Sequence, residues 1–254
     1  MSKTGAEALN SATQCERVEL GRFHCPADLD GAGAVPGLVL IHDVFGLSEH
    51  SQELAGALAG EGFGVLEIDL YRALGDFTID DPGAHIRSLS DPQVLTDLDA
   101  GADWLARNAT ACRGRAVGVI GVCMGGTYSL LAACLSDRFK AAAPFYGILS
   151  YDEGFLAGPE GRSLEKKPTS PIEAAERLRT PTLASFGGKD TFVPDAHVDA
   201  LYEGMSSSGT TFEVDRYPDA GHAFLNRTRS EAYDASASQA AWARVLPFLH
   251  GELD

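Results

Sequence analysis

"RAVGVIGVCMGGTYSLL", residues 115–131, runs from a continuous apolar stretch through a Gly-rich turn into a second apolar segment. A short apolar run that stops at glycine reads as a buried strand, and "TYSLLAACL" beyond it reads as the start of a buried helix. Cys123 stands at the junction, with Gly121 two residues before it and Gly125 two residues after. A nucleophile carried on a sharp strand-to-helix turn needs this spacing. The backbone at such a turn is strained, and side chains two residues either way would collide, so glycine occupies both places. The sulfur then stands clear of the strand, and the helix that begins there aims its positive end at it. Gly126 adds room for close helix packing. In a chain with 28 glycines the same pattern also fits a buried cysteine in a turn, so the surrounding chain has to decide.

Outward from this stretch, short apolar runs alternate with amphipathic segments. Strands are expected at "PGLVLIH" (36–42), "FGVLEIDLY" (63–71), 115–122, "FKAAAPFYG" (139–147), "PTLASFGG" (181–188) and "TTFEVDRYP" (210–218), with a further N-terminal strand in "RVELGRFHCP". Helical spacing places Val94, Leu98, Ala102 and Leu105 on one face, and a last helix carries Trp242, Val245, Leu246 and Leu249. Continuous apolar strands separated by helices predict an α/β fold, a mostly parallel sheet of about seven or eight strands covered on both faces. We expect a flexible lead-in over 1–15 and one domain over 16–254. Two long connections, 72–92 and 148–171, each follow a strand and so rise at the carboxyl edge, where open α/β sheets bind ligands. The second is a candidate partial lid.

A thiol nucleophile needs a base, and the base needs an orienting carboxylate. Asp190 follows the strand "PTLASFGG", and His222 follows the strand that ends in "YPDAGHAF". Alone, Asp190 reads as a turn or cap residue and His222 as a loop histidine. Nucleophile, acid and histidine in that order, each after a different strand, are the arrangement of a triad. An oxyanion hole would draw on the Met124 N–H and on one from "HDVFG", with Val44 the natural donor.

The 254 residues include 44% hydrophobic and 22% charged, an ordinary globular composition. No apolar run reaches the roughly 18 residues of a membrane span, and the N-terminus has no signal-peptide core. The five cysteines form no Cys-x-x-Cys pair, which points to a reducing, cytoplasmic setting. Cys15, Cys25, Cys112 and Cys134 read as packing residues. His42 beside Asp43 lacks a third ligand at metal spacing, and His24, His50, His85, His197 and His250 read as surface residues. A net charge of −16 argues against nucleic acid and anionic membranes. Screening beyond about 8 Å leaves any pocket to its local residues.

The pieces "HDVFG", "DLY", "GVCMGG", "FYG", "GGKD-TFVP" and "AGHAF", in that order over about residues 36 to 250, resemble the dienelactone hydrolases (carboxymethylenebutenolidases) of the α/β-hydrolase superfamily. The resemblance implies a cofactor-free hydrolase with a Cys123–His222–Asp190 triad, one that opens an enol lactone to maleylacetate in the degradation of chlorinated aromatics. It implies that Tyr146 and Phe45 line the pocket. A family glutamate that hydrogen-bonds the resting thiol is replaced here by the shorter Asp43. The two arginines that hold the lactone carboxylate in the best-known members are each displaced by one position, leaving Arg72 beside Ala73 and Arg227 beside Asn226. Arg87 is a further cation in the first long connection. The expected substrate is a small lactone or ester, and the expected state a monomer or small homo-oligomer. The rivals are a general carboxylesterase or thioesterase, and a non-catalytic thiol-sensing binding protein.

Overall fold

Side chains alternate across a strand, so an apolar run buried on both faces feeds two cores. In the computed structural model, which describes residues 13–27, 33–75 and 78–254, the third strand, β3 (Gly37–Ile41), sends Val39 and Ile41 into one cluster and Leu38 and Leu40 into the other. The same division runs through β4 (Gly64–Ile68) and β5 (Val117–Val122). The first cluster is covered by α3 (Asp91–Arg107), α4 (Met124–Leu135) and α6 (Asp195–Ser206). The second is covered by α1 (Glu49–Gly60) and α7 (Ala235–Leu253).

The sheet has eight strands and is completed by β1 (Thr13–Val18), β2 (Gly21–Pro26), β6 (Ala142–Phe145), β7 (Thr182–Gly187) and β8 (Phe212–Tyr217), in the order β1-β2-β4-β3-β5-β6-β7-β8. The strands from β3 to β8 pair in parallel; β1 and β2 pair antiparallel with each other, and β2 pairs antiparallel with β4. The single N-terminal strand expected is therefore a hairpin. It begins inside the expected lead-in, since Thr13–Cys15 belong to β1; residues 1–12 lie outside the described residues.

Three other expectations are corrected by burial. His24 and His50 are buried. His24 lies 3.2 Å from Glu67, a fully buried carboxylate that also takes Arg22 and the Ser51 hydroxyl, and burial lowers His50 to about 4. Cys15 is exposed on the hairpin. The connection after β4 is not all loop, because Asp81 caps a short helix, α2 (Pro82–Ser88), through the Ala84 N–H. Among the described residues no helix is long and apolar enough to cross a membrane.

The connection 148–171 is tied down at its far end. Lys167 reaches Asp91 at the start of α3 (2.6 Å) and the Tyr128 hydroxyl on α4 (2.9 Å), with the rings of Tyr128 and Tyr151 each 5.2 Å from its ammonium. Beyond it Ser170 caps α5 (Pro171–Ala174) in a capping box with Glu173. Burial pushes Asp91 up and Lys167 down, so each charge depends on the other. We expect Lys167→Met alone to cost about 3–5 kcal/mol in urea unfolding, because it strands a buried carboxylate. Adding Asp91→Leu should recover most of that loss.

Candidate active site

Cys123 sits between β5 and α4 with φ 54° and ψ −117°, a backbone conformation rare outside glycine. The flanking glycines are required by contact. A Cβ on Gly121 would lie 2.1 Å from the Gly125 carbonyl oxygen, and one on Gly125 would lie 2.2 Å from that of Ile41. Gly126 packs as closely on Phe145, where a Cβ would come within 2.3 Å of the carbonyl oxygen. The turn is thus wedged against β3 on one side and β6 on the other.

His222 and Asp190 reach the same edge from the ends of β8 and β7. His222 Nδ1 lies 2.7 Å from Asp190 Oδ2, and the ring also hydrogen-bonds the Cys123 sulfur, which leaves Nε2 for that contact. Asp190 is a turn residue as well as the imidazole's partner. Its Oδ1 accepts the Phe192 N–H (2.8 Å) and the Val193 N–H (3.3 Å), and this turn aims Oδ2 at the imidazole. Burial by itself would push His222 down, but the Cys123 sulfur and the Asp190 carboxylate outweigh it and raise the imidazole to about 10. An imidazole raised this far is a ready acceptor for a thiol proton.

The loop after β3 closes the other side. His42 Nε2 accepts the Leu70 N–H at 3.2 Å, so Nδ1 carries the proton donated to the Asp43 carbonyl at 2.6 Å. Burial keeps this ring neutral by lowering its pKa. The Tyr71 hydroxyl donates to the Val44 carbonyl (2.9 Å) and lies 3.3 Å from the Met124 sulfur. Met124 is the first residue of α4, where the N–H has no acceptor within the helix.

The dienelactone hydrolase family matches residues 27–253. A Salmonella typhimurium protein named provisionally as a carboxymethylenebutenolidase is 32% identical over 219 residues, 84% of this chain and 76% of that one. The carboxymethylenebutenolidase of Rhodococcus opacus is 28% identical over 232 residues, 89% of this chain and 84% of that one. A crystal structure from Klebsiella pneumoniae, named provisionally as a dienelactone hydrolase, superimposes with a TM-score of 0.81 at 28% identity and covers 94% of this chain and 98% of its own. This chain belongs to the dienelactone hydrolase family. It is a hydrolase of carboxylic ester bonds on an α/β-hydrolase fold.

The other expected site residues of this family member fall into two groups. Tyr146 is buried, with its ring 5.2 Å from that of His222, and Phe45 stands exposed beside the oxyanion-side loop. Asp43 is buried nearby, which raises its pKa, and its Oδ1 takes the Phe45 N–H at 2.8 Å. The expected arginines are engaged elsewhere. Arg72 shares a cavity with Phe45, but its guanidinium is held by both oxygens of Asp97, at 2.7 and 3.1 Å. Arg227 lies over the Tyr233 ring and hydrogen-bonds its hydroxyl. Two residues went unforeseen. Arg229, two further along, is the arginine whose charge reaches Asp43. Phe192 meets the His222 ring edge-on at 5.0 Å, and Phe155 of the long connection meets Phe192 at 4.8 Å. The phenylalanine of "DTFVP" was the available signal for Phe192; a second arginine in "NRTRS" was the only one for Arg229.

Asp190→Asn should fold normally and lose roughly 10³–10⁴ in turnover, because an amide favours the wrong imidazole tautomer. It should also shift the pH profile. The imidazolium beside the sulfur in the free protein is present below its pKa and is lost as pH rises through about 10; removing the Asp190 charge should move that alkaline limb of kcat/KM to lower pH. The exposed Glu53→Gln is the control, and equal loss there would relocate the third member of the triad.

Proposed function

We propose that this hydrolase cleaves a small ester or lactone through a covalent thioester on Cys123. The observation that carries the reading is His222 held between the Asp190 carboxylate and the Cys123 sulfur. His222 takes the thiol proton, and Asp190 fixes the tautomer and steadies the imidazolium. The sulfur attacks the acyl carbon, and the carbonyl oxygen becomes an oxyanion that accepts the Met124 and Val44 N–H groups. Collapse breaks the acyl carbon–oxygen bond, and the imidazolium returns its proton to the alkoxide or enolate. Water, deprotonated by His222, then releases the acid and restores the thiol. Tyr146 and Phe192 flank the imidazole with apolar surface, and burial and the neighbouring Cys123 keep the Tyr146 hydroxyl protonated. Cys123→Ala should leave the fold intact and reduce turnover by about 10⁴–10⁶. Near-normal turnover in that variant would remove Cys123 as the nucleophile and overturn the thioester route.

The charge of the substrate separates a dienelactone from a simple ester. Arg72 is bound to Asp97 and Arg227 lies on Tyr233; Arg229 pairs with the exposed Glu231 at 3.0 Å, but its charge reaches Asp43, so it is the arginine best placed to hold a substrate carboxylate. The exposed rings of Phe45 and Phe192 favour a neutral acyl group instead. On the anionic-lactone reading, Arg229→Gln should lower kcat/KM for a dienelactone about tenfold more than for a p-nitrophenyl ester, the effect of one charged hydrogen bond. Equal losses would assign the chain to neutral esters.

A further inference from the structure

Away from Cys123, the two long connections lean on each other and line an open cleft of about 440 Å³. Its walls include Arg87 of α2 and Tyr151, Leu156, Arg162, Lys166 and Lys167 of the 148–171 connection. Four cations in one cavity of a chain with net charge −16 call for an account. Two of them are neutralised. Arg162 is bound by Glu173 and Asp152, and Lys167 by Asp91. The other two are not. Among the described residues, neither the Arg87 guanidinium nor the Lys166 ammonium has a hydrogen bond or ion pair, and the acid on the lining is the exposed Glu160.

Arg87 lies along bare backbone. A Cβ on Gly158 would come within 3.0 Å of its Nε, and one on Gly83 within 3.1 Å of its Nη1. The two glycines leave room for the guanidinium between α2 and the 148–171 connection, with its fork of donors unspent. Lys166 adds like charge next to Lys167 and weakens the latter's hold on its proton, a repulsion that a bound anion would relieve. The ring of Tyr151 and the Leu156 side chain give the cavity an apolar wall.

We propose that this cavity is a second ligand site, for a small oxyanion, a carboxylate or a phosphate monoester with a compact apolar body, bound in fork fashion by Arg87 and covered by Lys166. The site is independent of the thiol chemistry. It adjoins that chemistry, because Phe155, next to Leu156 on the cavity wall, touches Phe192 against His222. An occupant would therefore order the connection that forms one wall of the reaction site.

The test is calorimetric titration of the full chain at low salt with benzoate, with phenyl phosphate and with inorganic phosphate. We expect saturable binding of at least one, weakened roughly tenfold or more by Arg87→Gln and less by Lys166→Gln, with the same unfolding temperature for both variants in the absence of ligand. Arg113→Gln, outside the cavity, should bind as the parent does. Cys123 alkylated with iodoacetamide should retain the binding, which separates this site from the proposed catalytic one. Stronger binding of benzoate than of the phosphates identifies a carboxylate ligand; the reverse identifies a phosphate. No saturable binding of any probe, equal binding by Arg87→Gln, or loss of binding on alkylation would each overturn the proposal. Should Arg87→Gln fail to fold, loss of binding in a folded Lys166→Glu variant takes its place, and unchanged binding there overturns it.

Discussion

A left-handed backbone at a non-glycine residue persists only where its surroundings over-determine it. At Cys123 they do so through main-chain contact. Gly121 lies against the Gly125 carbonyl, Gly125 against that of Ile41 and Gly126 against that of Phe145, so close that no side chain fits at any of the three. The Cys123 N–H donates to Phe145, and the Thr127 N–H to Cys123, so the chain is hydrogen-bonded on both sides of the strained residue. β5 can make these contacts because it lies between β3 and β6. The order of strands thus serves the sulfur, and the helix that leaves the turn has little freedom to move without carrying the sheet with it.

Tyr71 extends that constraint to the oxyanion side. Its hydroxyl binds the Val44 carbonyl and lies against the Met124 sulfur, so one side chain spans the two residues whose N–H groups would hold an oxyanion. Its ring packs on His42 and His85. His42 in turn ties the Asp43 carbonyl to the Leu70 N–H. The two buried neutral histidine bonds and the one phenol hold the β3 and β4 loops in a fixed relation without placing a charge beside the nucleophile. The charges that are buried nearby, Asp43 and Asp190, each spend an oxygen on a local N–H two residues ahead, which sets the carboxylate direction from the backbone.

The parallel strands, the elbow and the order of Cys123, Asp190 and His222 were legible because each depends on local pattern: apolar runs, glycine at fixed offsets, and a residue placed just past a strand end. The carboxylate partners of the arginines were not, because Asp97 meets Arg72 only through the packing of α3 beside the β4 loop. Position relative to a motif says which loop carries Arg72 or Arg227, while the direction of a long side chain is decided by whichever partner lies within reach, Asp97 for one and Tyr233 for the other. The buried His24 was misjudged for the same reason: it faces Glu67 two strands of sequence away across the β2–β4 pairing. α2 and α5 carried local signals, an Asp or Ser cap followed by proline, but their shortness hid them among turn residues.

The connection 148–171 owes its form to the same competition between local and distant partners. Its place after a strand and its composition, rich in glycine, proline and charge, read as a partial lid. Lys167, however, is drawn under Tyr128 and Tyr151 to Asp91, and Arg162 is drawn to Glu173. With those two points fixed, the stretch between Gly154 and Gly161 is what remains to arch over α2, and its apolar residues Phe155 and Leu156 are turned inward, one to Phe192 and one to the cavity beside Arg87. The segment is thus pinned by a buried ion pair at one end and by two inward apolar side chains at its crest. The crest meets Phe192, whose ring lies edge-on to His222, so its position bears on the surface beside that imidazole, while the His222–Asp190 hydrogen bond is made by the β7 and β8 loops themselves.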